Sequence, residues 1–552
     1  MRLISAIILL SVAAAPCLAE DTLLSNSNDS SAVIIGSVTV ENRNVFAPSS
    51  ADYDRWYASY VNRFHMKTRR HVIARELLFS VGDTLLSQIL AETERNLRRY
   101  VFLDSVSVRA DVSRDTARVS VYTDDNWTLG ASMILEGGGG RSEIGALVVE
   151  RNLFGLGKEL NFQAVRAVDK DTLSSGDDTF IGYYQDPRLW GSRWSLASIG
   201  SHASTGDLFS LSISRPFYAL DVRWGASVRS TWYDGITRQY KGGNLRSELP
   251  TQKSSASVDI ARRWGGRSER ITLSTAVAVG SKKYHGTVRN STDADTLRTE
   301  RQIISVSVGL GWMSDGRYLK LRRIDDFGRI EDVTEGFSAS ASVGVARGFG
   351  VTSDLLYPSF GGSVSQVSAW GEHLLVANGS GSVNLTDDRS KNRNGWSSGR
   401  LSGFVHYYYL GLPWQTAAAS VRYVGLYRPL RPAQLFLGGD VGLRGYPAWQ
   451  FTGTKALLVN LEDRVFTPLK LYTFAMGLVL FADGGYVWPE GEELSARDIH
   501  ASVGIGIRIG ATKAATGRIS RLDLAFPLRD GFGFSLTFGS DQVFNIMGIP
   551  AR

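Results

Sequence analysis

Cysteine is almost missing from this chain: one residue in 552, Cys17. Past residue 17 there can be no disulfide, no thiol nucleophile and no thiolate metal site. Beyond residue 19 there is no apolar run of about 18 residues, which excludes a membrane-spanning helix. Catalytic patterns are missing as well. Gly379-Ser380-Gly381 is not a G-x-S-x-G elbow. The run Gly137, Gly138, Gly139, Gly140 lacks a following Gly-Lys-Ser/Thr, and there is no H-E-x-x-H. The seven histidines, among them His65, His71 and His406, fall at no ligand spacing. No enzymatic activity, metal or cofactor is therefore expected. The net charge of +7 is spread along the chain without a basic tract, so nothing argues for nucleic acid.

What is present begins with a leader. Arg2, the short apolar run Leu3 to Ala15 and the small-residue end at Ala19 read as a secretory signal peptide over residues 1–19, with Glu20 the first mature residue. Pro16 fits a lipid-attachment box at Cys17 poorly. Residues 20–32 are a polar lead-in. Residues 33–125 then read strand, helix, helix, strand, strand. Val33 to Val40 is a strand. Thr68 caps a helix running to about Phe79, and a second helix runs from Ser87 to Tyr100. Val106 to Val112 and Ala117 to Tyr122 form a hairpin across Ser113-Arg114-Asp115. Residues 44–65, with Tyr and Trp, stand outside this pattern.

Residues 126–552 alternate with period two. Val503, Ile505, Ile507 and Ile509 alternate with Ser502, Gly504, Gly506 and Arg508; Leu522, Leu524 and Phe526 alternate with Arg521, Asp523 and Ala525. One apolar face and one polar face suit lipid outside and a wet lumen inside. A soluble sandwich shares the period. A chain that must cross a bilayer without a helix can do so only as a closed barrel, where every backbone group is paired. Turn formers mix with aromatics at 152–158, 186–192 and 215–218, as in short periplasmic turns; the polar stretches 282–300 and 388–397 read as extracellular loops. The expected fold is a transmembrane antiparallel β-barrel behind a small α+β domain.

Arg444, in Leu443-Arg444-Gly445-Tyr446, precedes two acidic residues on later strands, Glu462 and Asp483. That order suggests a loop folded into a lumen and anchored by a buried ion pair, for which the always-charged planar guanidinium is suited. The plain alternative is ordinary lumen charge. Gly533, Leu536 and Phe538 have the spacing of a C-terminal barrel signal, although the chain continues through 540–552.

Two resemblances follow. Residues 33–125 resemble a POTRA domain on Arg75-Glu76-Leu77, Gly82-Asp83, Arg95-Asn96-Leu97-Arg98, Phe102-Leu103 and Val119-Ser120-Val121. The whole chain resembles the BamA/TamA superfamily of outer-membrane assembly and translocation proteins. That resemblance rests on Asn152-Leu153-Phe154-Gly155 with Gly157-Lys158, the Arg444 motif, Glu462, and Phe481-Ala482-Asp483-Gly484-Gly485. It implies about 16 strands, whereas a direct pass finds five after the Arg444 loop and up to fifteen before it. It further implies Arg444 as loop anchor, with Gly445 and Tyr446 shaping the tip. A seam is implied between a first strand at about 127–138, weakened by Gly137 to Gly140, and a last at 531–539. The implied location is the bacterial outer membrane, with the N-terminal domain in the periplasm. The implied function is insertion or export of polypeptide clients through that seam; the alternatives are a passive channel and a two-partner secretion transporter. Outer-membrane lipid and unfolded clients are the expected partners.

Overall fold

The structure, a computed structural model, describes residues 33–552 except 49, 51, 139–140, 170–176, 242–243, 267, 285–298, 328, 350–355, 389–392, 430–432, 440, 516–518, 530, 532, 541 and 545–552. The expected leader and lead-in lie outside the described residues, as do Gly139 and Gly140.

The N-terminal domain is built from β1 (Ile34–Arg43), α1 (Trp56–Phe64), α2 (Arg70–Ala74), α3 (Ser87–Arg98), β2 (Leu103–Ser113) and β3 (Thr116–Asp125). Its sheet has the order β1-β3-β2, with β1 parallel and β2 antiparallel to β3. Alternation makes this sheet one-sided. Ile35, Val119, Val121, Leu103 and Val106 point to one face, where Val72, Ile73, Leu97 and Phe102 cover them. Each such large side chain withdrawn from water contributes roughly 1.5–3 kcal/mol. Thr68 does not cap a helix. Its hydroxyl accepts from Asn152 Nδ2 at 2.7 Å and its amide donates to Asp125 at 2.7 Å, so its bonding is committed elsewhere. The first core helix ends at Ala74 rather than near Phe79, because the chain leaves it at Arg75 and turns Glu76 toward the barrel. The second ends at Arg98, two residues short of Tyr100.

The wall strands are β4 (Leu129–Gly138), β5 (Arg141–Glu150), β6 (Glu159–Asp169), β7 (Asp177–Asp186), β8 (Ser195–Ala203), β9 (Gly206–Arg215), β10 (Trp224–Lys241), β11 (Asn244–Gly265), β12 (Glu269–Tyr284), β13 (Thr299–Leu321), β14 (Glu331–Phe349), β15 (Leu356–Trp370), β16 (His373–Asp388), β17 (Arg393–Tyr409) and β18 (Gln415–Tyr427). A long inward loop follows, carrying the short pair β19 (Leu435–Leu437) and β20 (Phe451–Gly453). The wall resumes with β21 (Lys455–Leu471), β22 (Phe474–Trp488), β23 (His500–Ala511), β24 (Ile519–Pro527) and β25 (Ser535–Ser540). Each strand pairs with the next, and β25 returns to β4. The barrel thus has 20 strands, not 16. Within 313–430, β13 to β18 each pair with a neighbour on both sides and belong to the barrel. In the polar stretch 388–397 the described residues pair only across the β16–β17 hairpin, since β17 meets β18 from Gly399 onward, so they project beyond the wall as an extracellular loop would.

Period two sorts the faces. On β23, Val503, Ile505, Ile507 and Ile509 are exposed on the outside, while Ser502, Gly506 and Arg508 are buried inside. Trp190, Trp224, Trp264, Trp370, Trp414 and Tyr472 are exposed at or beside turns on the end that carries the α+β domain. Such a ring of aromatics marks a membrane–water boundary. The lumen is not wet throughout. The turn between β13 and β14 folds inward, and Ile324 joins Leu374, Val376, Tyr408, Val543 and Phe544 in an apolar cluster.

The domain is docked on the barrel rim. Glu76 receives the Arg188 guanidinium from the β7–β8 turn, with Nε to Oε1 at 2.7 Å and Nη2 to Oε2. Arg98 donates to both Asp332 oxygens at 2.7 and 2.8 Å, Lys320 reaches Glu94 at 2.9 Å, and Lys513 reaches Asp104 at 2.5 Å. The motif at 152–158 joins this contact, with Asn152 Nδ2 donating to the Thr68 hydroxyl at 2.7 Å. Asn152 Oδ1 accepts the Gly157 amide, and the Gly155 carbonyl accepts the Arg69 amide at 3.0 Å. Gly155 has φ +70°, and a Cβ there would lie 2.5 Å from the Lys67 carbonyl, so only glycine fits.

Candidate functional site

Arg444 sits at the tip of the inward loop and is completely buried. The chain reaches this depth through Gly442 and Gly445, both at positive φ (+105° and +96°). Tyr446 fixes the tip: its hydroxyl donates to the Ala501 carbonyl at 2.8 Å, and its ring packs beside Phe451 and His500. The Arg444 guanidinium grips Asp483 of β22 with two bonds, Nε to Oδ2 at 2.7 Å and Nη2 to Oδ1 at 2.8 Å. Its Nη1 lies 3.0 Å from Glu462 Oε1 on β21 and 3.4 Å from Asp523 Oδ2 on β24. The Phe481 ring backs the guanidinium plane at 3.5 Å.

Period two explains why these residues meet. Asn460, Glu462 and Arg464 are alternate positions on β21, Phe481 and Asp483 on β22, Arg508 lies on β23 and Asp523 on β24, and all face inward. Register then aligns them: Asn460 opposes Asp483 and Glu462 opposes Phe481. Asn460 Nδ2 bonds both Asp483 Oδ1 (2.6 Å) and the Gly442 carbonyl (2.8 Å), tying loop to wall.

Four participants were not singled out from sequence: Asn460, Arg464, Arg508 and Asp523. Their signal was the inward phase they share with Glu462 and Asp483. Arg464 Nε donates to Glu462 at 2.8 Å, and its other nitrogens reach the Ile324 carbonyl, Asp325 and the Phe544 carbonyl. Arg508 joins Asp523 at 2.5 Å to Gln542 at 3.1 Å. The segment after β25 therefore turns into the lumen. Phe544 is fully buried beside His406 and Tyr408, and Arg464 lies over its ring at 4.7 Å.

Leu536 and Phe538 face away from this cluster, although Asp523 stands opposite Thr537 between them. Gly137 and Gly138 end β4; Gly533 precedes β25; Leu536 and Phe538 lie on β25 and face outward. Among the described residues β25 and β4 share one registered pair, Phe538 with Gly137. The next shortest junction, β24 with β25, has six.

The chain is thus a β-barrel of the kind that crosses membranes, with an arginine-anchored inner loop and a docked α+β domain. No protein-family model matches it, nor does any curated protein. Among solved structures it is similar to CdiB from Escherichia coli, at 11% identity and a TM-score of 0.45, over 94% of this chain and 93% of that one. It is similar to CdiB from Acinetobacter baumannii at 11% and 0.42, over 93% and 74%. It is also similar to BamA from Haemophilus ducreyi lacking POTRA domains 1–3, at 12% and 0.36, over 92% and 85%.

Proposed function

We propose that this protein is an outer-membrane assembly or translocation barrel of the BamA/TamA type, inserting or exporting polypeptides through a lateral opening between β4 and β25. The observation that carries the reading is the seam. Among the described residues one registered pair joins β4 to β25, whereas every other junction of the barrel has six or more. A short ladder leaves backbone donors and acceptors on two strand edges, and an unpaired edge templates an incoming strand. Residues 33–125 act as a periplasmic POTRA domain, whose edge strands β1 and β2 each have one neighbour. The Arg444 loop is a lumen brace that keeps β21 to β24 rigid while the seam gives way.

A passive channel fits less well, because the inner loop, the β13–β14 turn and residues 542–544 all occupy the lumen. Depletion of the protein followed by proteomics of the outer membrane tests the proposal. Broad loss of barrels supports an insertase, and loss of one secreted protein supports a two-partner transporter. An unchanged outer-membrane and secreted proteome sinks both.

A further inference from the structure

Residues 44–65 interrupt the α+β domain and take no part in the seam or the Arg444 cluster. Their helix α1 has two faces. Ala58 is buried, and Tyr57 and Val61 pack with Val45, Phe46 and Trp127. The other face carries Trp56, Tyr60 and Phe64, four residues apart and so on one side of the helix. They are 69%, 60% and 71% exposed. Single exposed rings need no explanation, but a contiguous row marks a surface with a partner.

The position of the helix identifies that partner. The Trp56 and Tyr57 rings meet Tyr472 edge-on, at 6.4 and 5.7 Å. Tyr472 lies in the β21–β22 turn, and its neighbours Leu469, Leu471 and Phe474 are exposed on the outer wall. Through Trp56 the aromatic row adjoins a turn of the same rim that carries the exposed Trp residues. The charge agrees. From Asp52 to Arg70 the chain has five cations, Arg55, Arg63, Lys67, Arg69 and Arg70, against two carboxylates, Asp52 and Asp54, and both carboxylates precede the helix. A short helix with large rings on one face and flanking Arg/Lys lies in the plane of a membrane, rings at the acyl boundary and cations at the phosphates.

We propose that α1 is an interfacial anchor that lays Trp56, Tyr60 and Phe64 into the periplasmic leaflet beside the β21–β22 turn and favours anionic headgroups. It would hold the α+β domain to the membrane as well as to the rim. The inference rests on the membrane-barrel reading, so its test carries a control for that reading. The full chain in a Cys17→Ser background is placed in nanodiscs of phosphatidylethanolamine with phosphatidylglycerol. An environment-sensitive fluorophore is attached at Tyr60→Cys, at Leu536→Cys on the outer wall, or at Arg114→Cys in the β2–β3 turn. Brominated lipids are the quenchers. The expected result is a blue-shifted, lipid-quenched label at 60 and at 536 and none at 114, with the quenching at 60 reduced when phosphatidylcholine replaces phosphatidylglycerol. A label quenched at 536 but open to aqueous iodide at 60 overturns the anchor and leaves the face to a protein partner. Loss of quenching at 536 would instead overturn the membrane reading itself.

Discussion

Phe538 on β25 stands opposite Gly137 on β4, and this pair alone registers the two ends of the barrel among the described residues. Opposed residues of antiparallel strands have Cα atoms about 4.5–5.5 Å apart, inside disulfide reach. Phe538→Cys with Gly137→Cys should therefore cross-link on oxidation. If the seam is the exit for clients, the oxidised protein loses client assembly and regains it on reduction, while planar-bilayer conductance is unchanged. Client assembly at the wild-type rate in the oxidised protein would rule out lateral opening here.

Arg444→Ala removes one cation from contact with three buried carboxylates, those of Glu462, Asp483 and Asp523. Breaking a buried pair from one side costs roughly 3–5 kcal/mol. The wall ladders β21 to β24 do not depend on it, so the barrel should still assemble and run as a heat-modifiable band. The loop at 433–454 should become cleavable by external protease, and function should fall. Arg444→Lys should not rescue, because a point charge cannot hold both Asp483 oxygens. A protected loop in the Arg444→Ala protein would show that Asn460 and Tyr446 suffice as the anchor.

The sequence carried the period and the order of elements, but not every length. A direct pass allows five strands after the Arg444 loop and up to fifteen before it, yet the expected number is about 16, four short of the barrel's 20. The family number of 16 misled, because nothing in the alternation distinguishes wall from protruding hairpin until pairing is known. Arg444, Glu462 and Asp483 were legible because they stand in recognisable local motifs. Asp523 and Arg508 were seen as lumen-facing charges, but their meeting depends on register between β23 and β24, which alternation alone leaves open. The Glu76–Arg188 pair joins residues 112 positions apart in sequence. No local rule points to it.

That pair gives a test of domain docking. Arg188 is buried and depends on Glu76 for its countercharge. Glu76→Ala should release the α+β domain from the β7–β8 turn, seen as faster hydrogen exchange in both segments with the barrel unchanged. Glu94 adds a pH dependence. Burial alone would raise its carboxyl, but Lys320, the Val108 amide and Arg98 outweigh that and hold it below the ordinary glutamate range. A depressed carboxyl contributes stability that is complete above its unfolded value and lost as pH falls through the folded one. Docking should therefore hold at neutral pH and weaken on acidification below the ordinary glutamate range. Glu94→Gln should flatten that acid limb.

Phe544 offers the last test. Its ring fills a site made by His406, Tyr408 and Arg464, and its carbonyl accepts from Arg464 at 2.8 Å. Truncating a buried phenylalanine costs roughly 3–5 kcal/mol where neighbours cannot collapse. Arg464 would keep Glu462 and Asp325 as partners, so the ion cluster should survive Phe544→Ala. The expected phenotype is then a leakier lumen with a normally protected Arg444 loop, read as a higher single-channel conductance in planar bilayers together with an unchanged protease pattern. If conductance stays at the wild-type level, the segment after β25 is a passenger in the lumen and not part of its seal. If the loop is cleaved as well, residues 542–544 belong to the same brace as Arg444, held through Gln542 and Arg508.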